Sequence, residues 1–207
     1  ELMYSMPKGL TAATGMDALT HAIESYITPG AWVMSDMFEL KAIEMIAQNL
    51  KAAVDNGKDV AAREAMSQAQ YIAGMGFSNV GLGIVHSMAH PLGAFYDTPH
   101  GVANALLLPY VMEYNAESPA APKYIHIAKA MGVDTTGMSE AEGVKAAIEA
   151  VKALSISINI PQKLHEINVK EEDIPALAVA AYNDVCTGGN PRPTSVADIE
   201  ALYHKAF

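Results

Sequence analysis

The sequence predicts an all-α fold, a multi-helix bundle, on three observations. Apolar residues recur at intervals of three and four along most of its 207 residues, the repeat of helices that bury one face. Residues that start helices (Ser, Thr, Asp) and residues that end them (Gly, Asn, Pro) punctuate those stripes. No convincing alternation of polar and apolar residues, the signature of a half-buried strand, occurs anywhere. There is no internal repeat and no low-complexity linker.

Residues 11–27 carry Ala12, Met16, Leu19, Ile23 and Ile27 on one stripe, closed by Pro29 and Gly30. A second helix is predicted over 35–50, with Phe38, Leu40, Ile43, Ile46 and Leu50, and Asn56 and Gly57 mark the turn after it. The third, over 61–77, is rich in small residues and runs into glycines at 74, 76, 81 and 83. With Leu10, these glycines read as packing and close-approach positions. The next helix carries His86 and His90. Pro91 disfavours the helical conformation of the residue before it, so His90 is expected near the helix end or at a kink. Thr98 offers a cap with Pro99 at the first helical position, which puts His100 in the opening turn of a helix running to about 114. Further helices are predicted over 123–131, 139–154 with a Ser139–Glu142 capping box, 171–183 and 195–204.

About half the chain is apolar, enough for a substantial core. A net charge of −10 with only 13 scattered basic residues argues against nucleic-acid binding, which requires clustered Lys and Arg. No apolar run is long enough to span a membrane, and no basic segment followed by an apolar stretch opens the chain. A lone cysteine, Cys186, excludes an internal disulfide framework and fits a reducing, cytoplasmic setting. The chain opens at Glu1 rather than methionine, which reads as a processed product or a piece of something longer.

Chemistry concentrates in two segments. In GLGIVHSMAHPLGAFYDTPHG, His86, His90 and His100 fall within 15 residues, and TGMDALTHAIE holds Asp17 and His21. Residues four apart on a helix project from the same side, so Asp17 with His21, and His86 with His90, can each reach one point. A lone histidine is more often structural, but these spacings together read as a metal site. Asp17 also sits in an apolar-periodic segment, where an unpaired carboxylate is costly to bury. Carboxylate with imidazole suits a borderline divalent cation, Fe(II), Zn(II) or Ni(II), better than calcium or magnesium. HSMAH places its histidines like the zinc-protease helix motif, but Ser87 stands where that motif has its glutamate, which disfavours hydrolysis.

TAATGMDALTHAIE, GLGIVHSMAHPLGAFYDTPHGVANALLLP and DVCTGGNPR resemble the iron-dependent (group III) alcohol dehydrogenases, especially members acting on small diols and their aldehydes, such as 1,2-propanediol and lactaldehyde. The resemblance covers essentially the whole chain and implies the helical C-terminal domain of the dehydroquinate synthase-like fold, residues 1–207. It implies Fe(II), with Zn(II) as an alternative, held by Asp17, His21, His86 and His100. It also implies that His90 approaches the metal and nicotinamide without being a principal ligand, and that Phe77 and Cys186 line the alcohol pocket. The plain alternatives are a core aromatic for Phe77 and a small buried hydrophobe for Cys186. The family's N-terminal α/β domain, which binds NAD(H) or NADP(H), has no counterpart here, since no strand precedes a glycine-rich loop. The isolated chain is therefore expected to lack turnover and, when joined to that domain, to form a homo-oligomer. Two other readings are a zinc enzyme resembling glycerol dehydrogenase and a non-catalytic helical metal-binding or interaction module. The intact fourth ligand and the CTGGNPR segment favour the iron type.

Overall fold

The computed structural model describes residues 3–207, so Glu1 lies outside the described residues. These form nine α-helices, joined in places by short 3-10 turns, with no strand. The helices are α1 (Lys8–Ile27), α2 (Val33–Asp55), α3 (Val60–Val80), α4 (Ile84–Tyr96), α5 (His100–Asn115), α6 (Tyr124–Ala130), α7 (Glu140–Ser157), α8 (Ile174–Tyr182) and α9 (Val196–Ala206). No helix among the described residues is long and apolar enough to cross a membrane.

Local chemistry explains several helix starts. The Asp59 carboxylate accepts from the Ala62 N–H to open α3. Ser139 and Glu142 cap each other's backbone at α7, as the sequence predicts, and Ser195 with Asp198 does the same at α9. Three expectations need correction. Helix α4 continues through Pro91 to Tyr96, because Met88, Ala89 and Leu92 around it are completely buried and that burial outweighs the lost hydrogen bond. Thr98 does not cap α5: Pro99 takes the cap position and the Thr98 hydroxyl is buried without a partner. Leu10 falls in the first turn of α1 and stays exposed. In addition, the predicted 171–183 helix divides into a 3-10 turn, Glu171–Asp173, and α8, with Pro175 near the α8 start.

Helix α1 is the centre of the fold, with 14 of its 20 residues buried. A helix covered on so much of its circumference belongs to the core rather than to the surface. It packs against α2, α3 and α5, while α4 packs on α5 and α8, α6 on α7 and α8 on α9. Met16, Leu19 and Ile23 of α1 meet a core that includes Ile43, Ile46 and Leu50 of α2 and Met88 and Leu92 of α4. Burying each such side chain contributes roughly 1.5–3 kcal/mol. The polar residues that α1 also buries are therefore held in a rigid setting.

Candidate metal centre

Asp17 and His21 stand one turn apart on α1, His86 and His90 one turn apart on α4, and His100 opens α5. The α1–α5 approach is tight at Gly101, where a Cβ would lie 2.3 Å from the Ala13 carbonyl oxygen. That approach sets His100 beside Asp17, with Nε2 3.5 Å from Oδ1. His86 Nε2 lies 3.8 Å from the same oxygen, and His21 Nδ1 lies 3.9 Å from Asp17 Oδ2. Asp17, His21 and His86 offer donor atoms all within 4.8 Å of one another. His100 stands outside this tightest set, its Nε2 accepting from the Asn104 amide at 3.0 Å.

Three further residues orient these groups, none of them singled out in the sequence. Glu24 Oε2 lies 2.5 Å from His86 Nδ1, and its Oε1 accepts from the Val85 N–H at 2.7 Å. With the proton held on Nδ1 by this carboxylate, His86 Nε2 is left as a lone-pair donor pointing inward. Asn104 Nδ2 donates to Asp17 Oδ1 at 2.6 Å and so ties the carboxylate to His100. Asp184 Oδ2 lies 2.7 Å from His90 Nδ1. Burial pushes the Asp184 carboxyl up, but the Cys186 N–H and His90 outweigh it and hold Asp184 below its ordinary range. Spacing carried a signal for two of the three: Glu24 follows His21 by three residues and Asn104 follows His100 by four. Asp184 arrives from the loop after α8 and had none.

The donor set fits a cation. His86 Nε2 is buried with no hydrogen-bond partner among the described residues, and an orphaned buried acceptor costs about 1–3 kcal/mol. A cation would satisfy it. Burial, and next the neighbouring His86, lowers the His21 pKa to about 4. Burial also keeps His100 below the usual imidazole range, despite the opposing pull of Asp17. Both rings are thus neutral near pH 7, the state in which imidazole ligates metal.

Phe77 of α3 stacks on His21, with centroids 4.4 Å apart and planes at 20°. Both line a cavity of about 490 Å³ together with Asp17, Thr14, Met66 and Gln70. Cys186 does not line that cavity. It sits instead beside Asp184, its N–H donating to Oδ1 at 2.9 Å, and burial followed by the Asp184 charge pushes its thiol up to about 12. His90 is 40% exposed, and its ring stacks on His100 with centroids 5.4 Å apart. The structure therefore brings Asp17, His21, His86, His90, His100 and Phe77 together and leaves Cys186 one step away.

Residues 11–207 match the sequence model of the Fe-containing alcohol dehydrogenase family, C-terminal part. The chain belongs to that family. Lactaldehyde reductase of Escherichia coli (strain K12) is 59% identical over 207 residues, which is all of this chain and 53% of the relative. The 1,3-propanediol dehydrogenase of Klebsiella pneumoniae is 47% identical over 206 residues, covering 100% of this chain and 53% of the relative. A crystal structure of a 1,3-propanediol oxidoreductase superimposes with a TM-score of 0.98 at 47% identity, over 100% of this chain and 54% of that one. The chain thus spans about half the length of these relatives. The helical architecture predicted from the sequence is that of the C-terminal part of this family.

Proposed function

We propose that residues 1–207 are the metal- and substrate-binding domain of an iron-dependent alcohol dehydrogenase that uses NAD(H) or NADP(H). It would interconvert a small alcohol or diol of the 1,2-propanediol kind with its aldehyde. The observation that carries this reading is the partnerless, inward-facing Nε2 of His86 beside a carboxylate and further imidazoles. The likeness to lactaldehyde reductase supports the substrate class.

Asp17, His21, His86 and His100 would hold the ion, which supplies Lewis acidity toward an alcohol or carbonyl oxygen when bound. The protein's own contribution is orientation and proton handling. Glu24 fixes the tautomer of His86, and Asn104 aligns Asp17 with His100. The Asp184 carboxylate keeps the proton of His90 on Nδ1, so Nε2 is free to accept a hydroxyl proton from substrate or return it. Phe77 presents an apolar wall beside His21 and favours small, uncharged substrates. Dinucleotide binding is assigned to a strand-containing domain outside these residues, because the pyrophosphate needs a strand, a glycine-rich loop and a helix N-terminus in succession. A single cysteine accords with a cytoplasmic enzyme.

Metal analysis of the anaerobically purified chain tests the site. One iron per chain is expected, lost in His86→Ala and His100→Ala and retained in His90→Ala; equal loss in all three reassigns His90 as a ligand, and zinc in place of iron overturns the metal assignment. Aldehyde-dependent NADH oxidation by the 207-residue chain alone should be absent, and robust turnover contradicts the assignment of dinucleotide binding to another domain.

A further inference from the structure

Glu39 is the least expected residue in the core. It lies in the second turn of α2 with no exposed surface, and among the described residues neither carboxyl oxygen has a hydrogen-bond partner that meets normal geometry. None of the ion pairs among the described residues includes it. Its carboxyl presses on Gly76 of α3, where a Cβ would fall 1.9 Å from Oε1, so that glycine is what admits the side chain. On the α1 side it faces the hydroxyl of Ser25.

Burial sets its protonation. Ser25 has one O–H, and it donates that to the His21 carbonyl at 2.5 Å. The Ser25 hydroxyl favours the charged form of the carboxyl beside it, but burial opposes that form more strongly. A buried charge with no partner is far costlier than a neutral acid. The charged neighbour acting on it, Asp36 of the same helix, has the wrong sign to help. Several titratable groups on the elements near α2 have partners of their own. Glu24 bonds His86, Tyr26 bonds His126, Lys123 pairs with Asp36, and Arg63 bonds Gly57 and Thr11. Burial accordingly raises the Glu39 pKa to about 8.

Its location gives this neutral acid a role. Ser25 is one turn beyond His21 on α1, and Gly76 directly precedes Phe77 on α3, so Glu39 stands behind the two rings that stack at 4.4 Å. We propose that Glu39 is a positioning residue for the metal centre: its uncharged carboxyl, wedged between Ser25 and Gly76, sets the separation of α1 and α3 and with it the stacking of His21 on Phe77. The proposal rests on the metal reading only in the use made of His21; the ring geometry and the protonation are properties of the metal-free chain.

The test uses Glu39→Gln, which keeps shape and a donor without charge, and Glu39→Ala, which keeps neither. The first measurement is thermal unfolding of the metal-free chain from pH 6.5 to 9. A carboxyl whose folded pKa exceeds its unfolded value loses stability as pH rises, up to the folded pKa. The wild-type unfolding temperature should fall to about pH 8 and then level, while Glu39→Gln stays flat and exceeds wild type at pH 9. The second is the His21 ring carbon–proton NMR signal, shifted by the Phe77 ring: Glu39→Ala should move it and Glu39→Gln should restore it. Iron affinity should follow the same order, weakened about tenfold or more in Glu39→Ala and kept in Glu39→Gln. A wild-type curve as flat as that of Glu39→Gln, or a His21 signal displaced equally by both variants, overturns the proposal. Failure of wild type to bind iron, with these two results intact, overturns the metal reading instead.

Discussion

A single carboxylate, Glu24, decides what His86 can do. One of its oxygens holds the His86 Nδ1 proton and the other accepts the Val85 N–H at the start of α4, so it positions the ring and ties α1 to the helix that bears it. Glu24→Gln tests this closely. The amide has one acceptor oxygen where the carboxylate has two, so either Val85 or His86 loses its partner. Loss of such a support costs a metal site about 10–100-fold in affinity, and competition against a chelator should show a drop of that size with the fold intact by circular dichroism; unchanged affinity means Glu24 does not tune His86. The pairing of Asp17 with His21 and of His86 with His90 was legible in the sequence because four-residue helical spacing is a local property. Their supports were less so. Glu24 and Asn104 share helix faces with His21 and His100, but what they touch depends on how helices far apart in the chain meet, and Asp184 is placed by tertiary packing alone. Glu39 gave no sequence signal, since a glutamate on an amphipathic helix ordinarily faces water.

At the scale of elements, periodicity located every long helix, and the errors fell where packing overrides local preference. Pro91 should end or kink a helix, yet α4 runs on to Tyr96, held by the buried Met88, Ala89 and Leu92. The glycines between 74 and 83 looked alike in sequence but differ in the fold. Gly76 admits Glu39, and Gly83 lies against Glu24, where a Cβ would come within 2.9 Å of Oε1, whereas Gly74 has open space around it. Gly81 serves the turn, with φ at +85°. The contact that assembles the site is Gly101 on Ala13, and it yields a paired prediction. Gly101→Ala meets backbone that cannot swing aside, so α5 must move off α1. Overpacking of this kind costs about 1–3 kcal/mol, and because His100 adjoins Gly101, metal affinity should fall as well. Gly74→Ala should instead be neutral or stabilising by about 0.5–1 kcal/mol, the helix-interior difference between the two residues. Denaturant unfolding of both variants checks the pair, and similar losses at the two sites would remove the special status of the α1–α5 approach.

Across the whole molecule, the centre gathers histidines that folding prefers neutral, and this couples metal, proton and stability. Burial places the folded pKa of His21 near 4, against 6.5 for an ordinary imidazole, and lowers that of His100. Between those limits these two histidines bind more protons in the unfolded chain than in the folded one, so their contribution to stability rises with pH there and falls on acidification. In the Glu39→Gln background, which removes the opposing contribution of that carboxyl, the metal-free chain should therefore lose unfolding temperature from pH 6.5 toward 4. Any cation that binds only the folded state adds stability in proportion to the logarithm of its concentration over Kd. Protons compete for the same nitrogens, so that gain should be largest near neutrality and shrink as the pH falls. Thermal unfolding with and without Fe(II), under anaerobic conditions at half-unit pH steps, reads both effects. The two curves should lie well apart at pH 7 and converge toward pH 4. A separation independent of pH would mean that the ion is held by groups other than these histidines, and the centre would have to be sought elsewhere in the bundle.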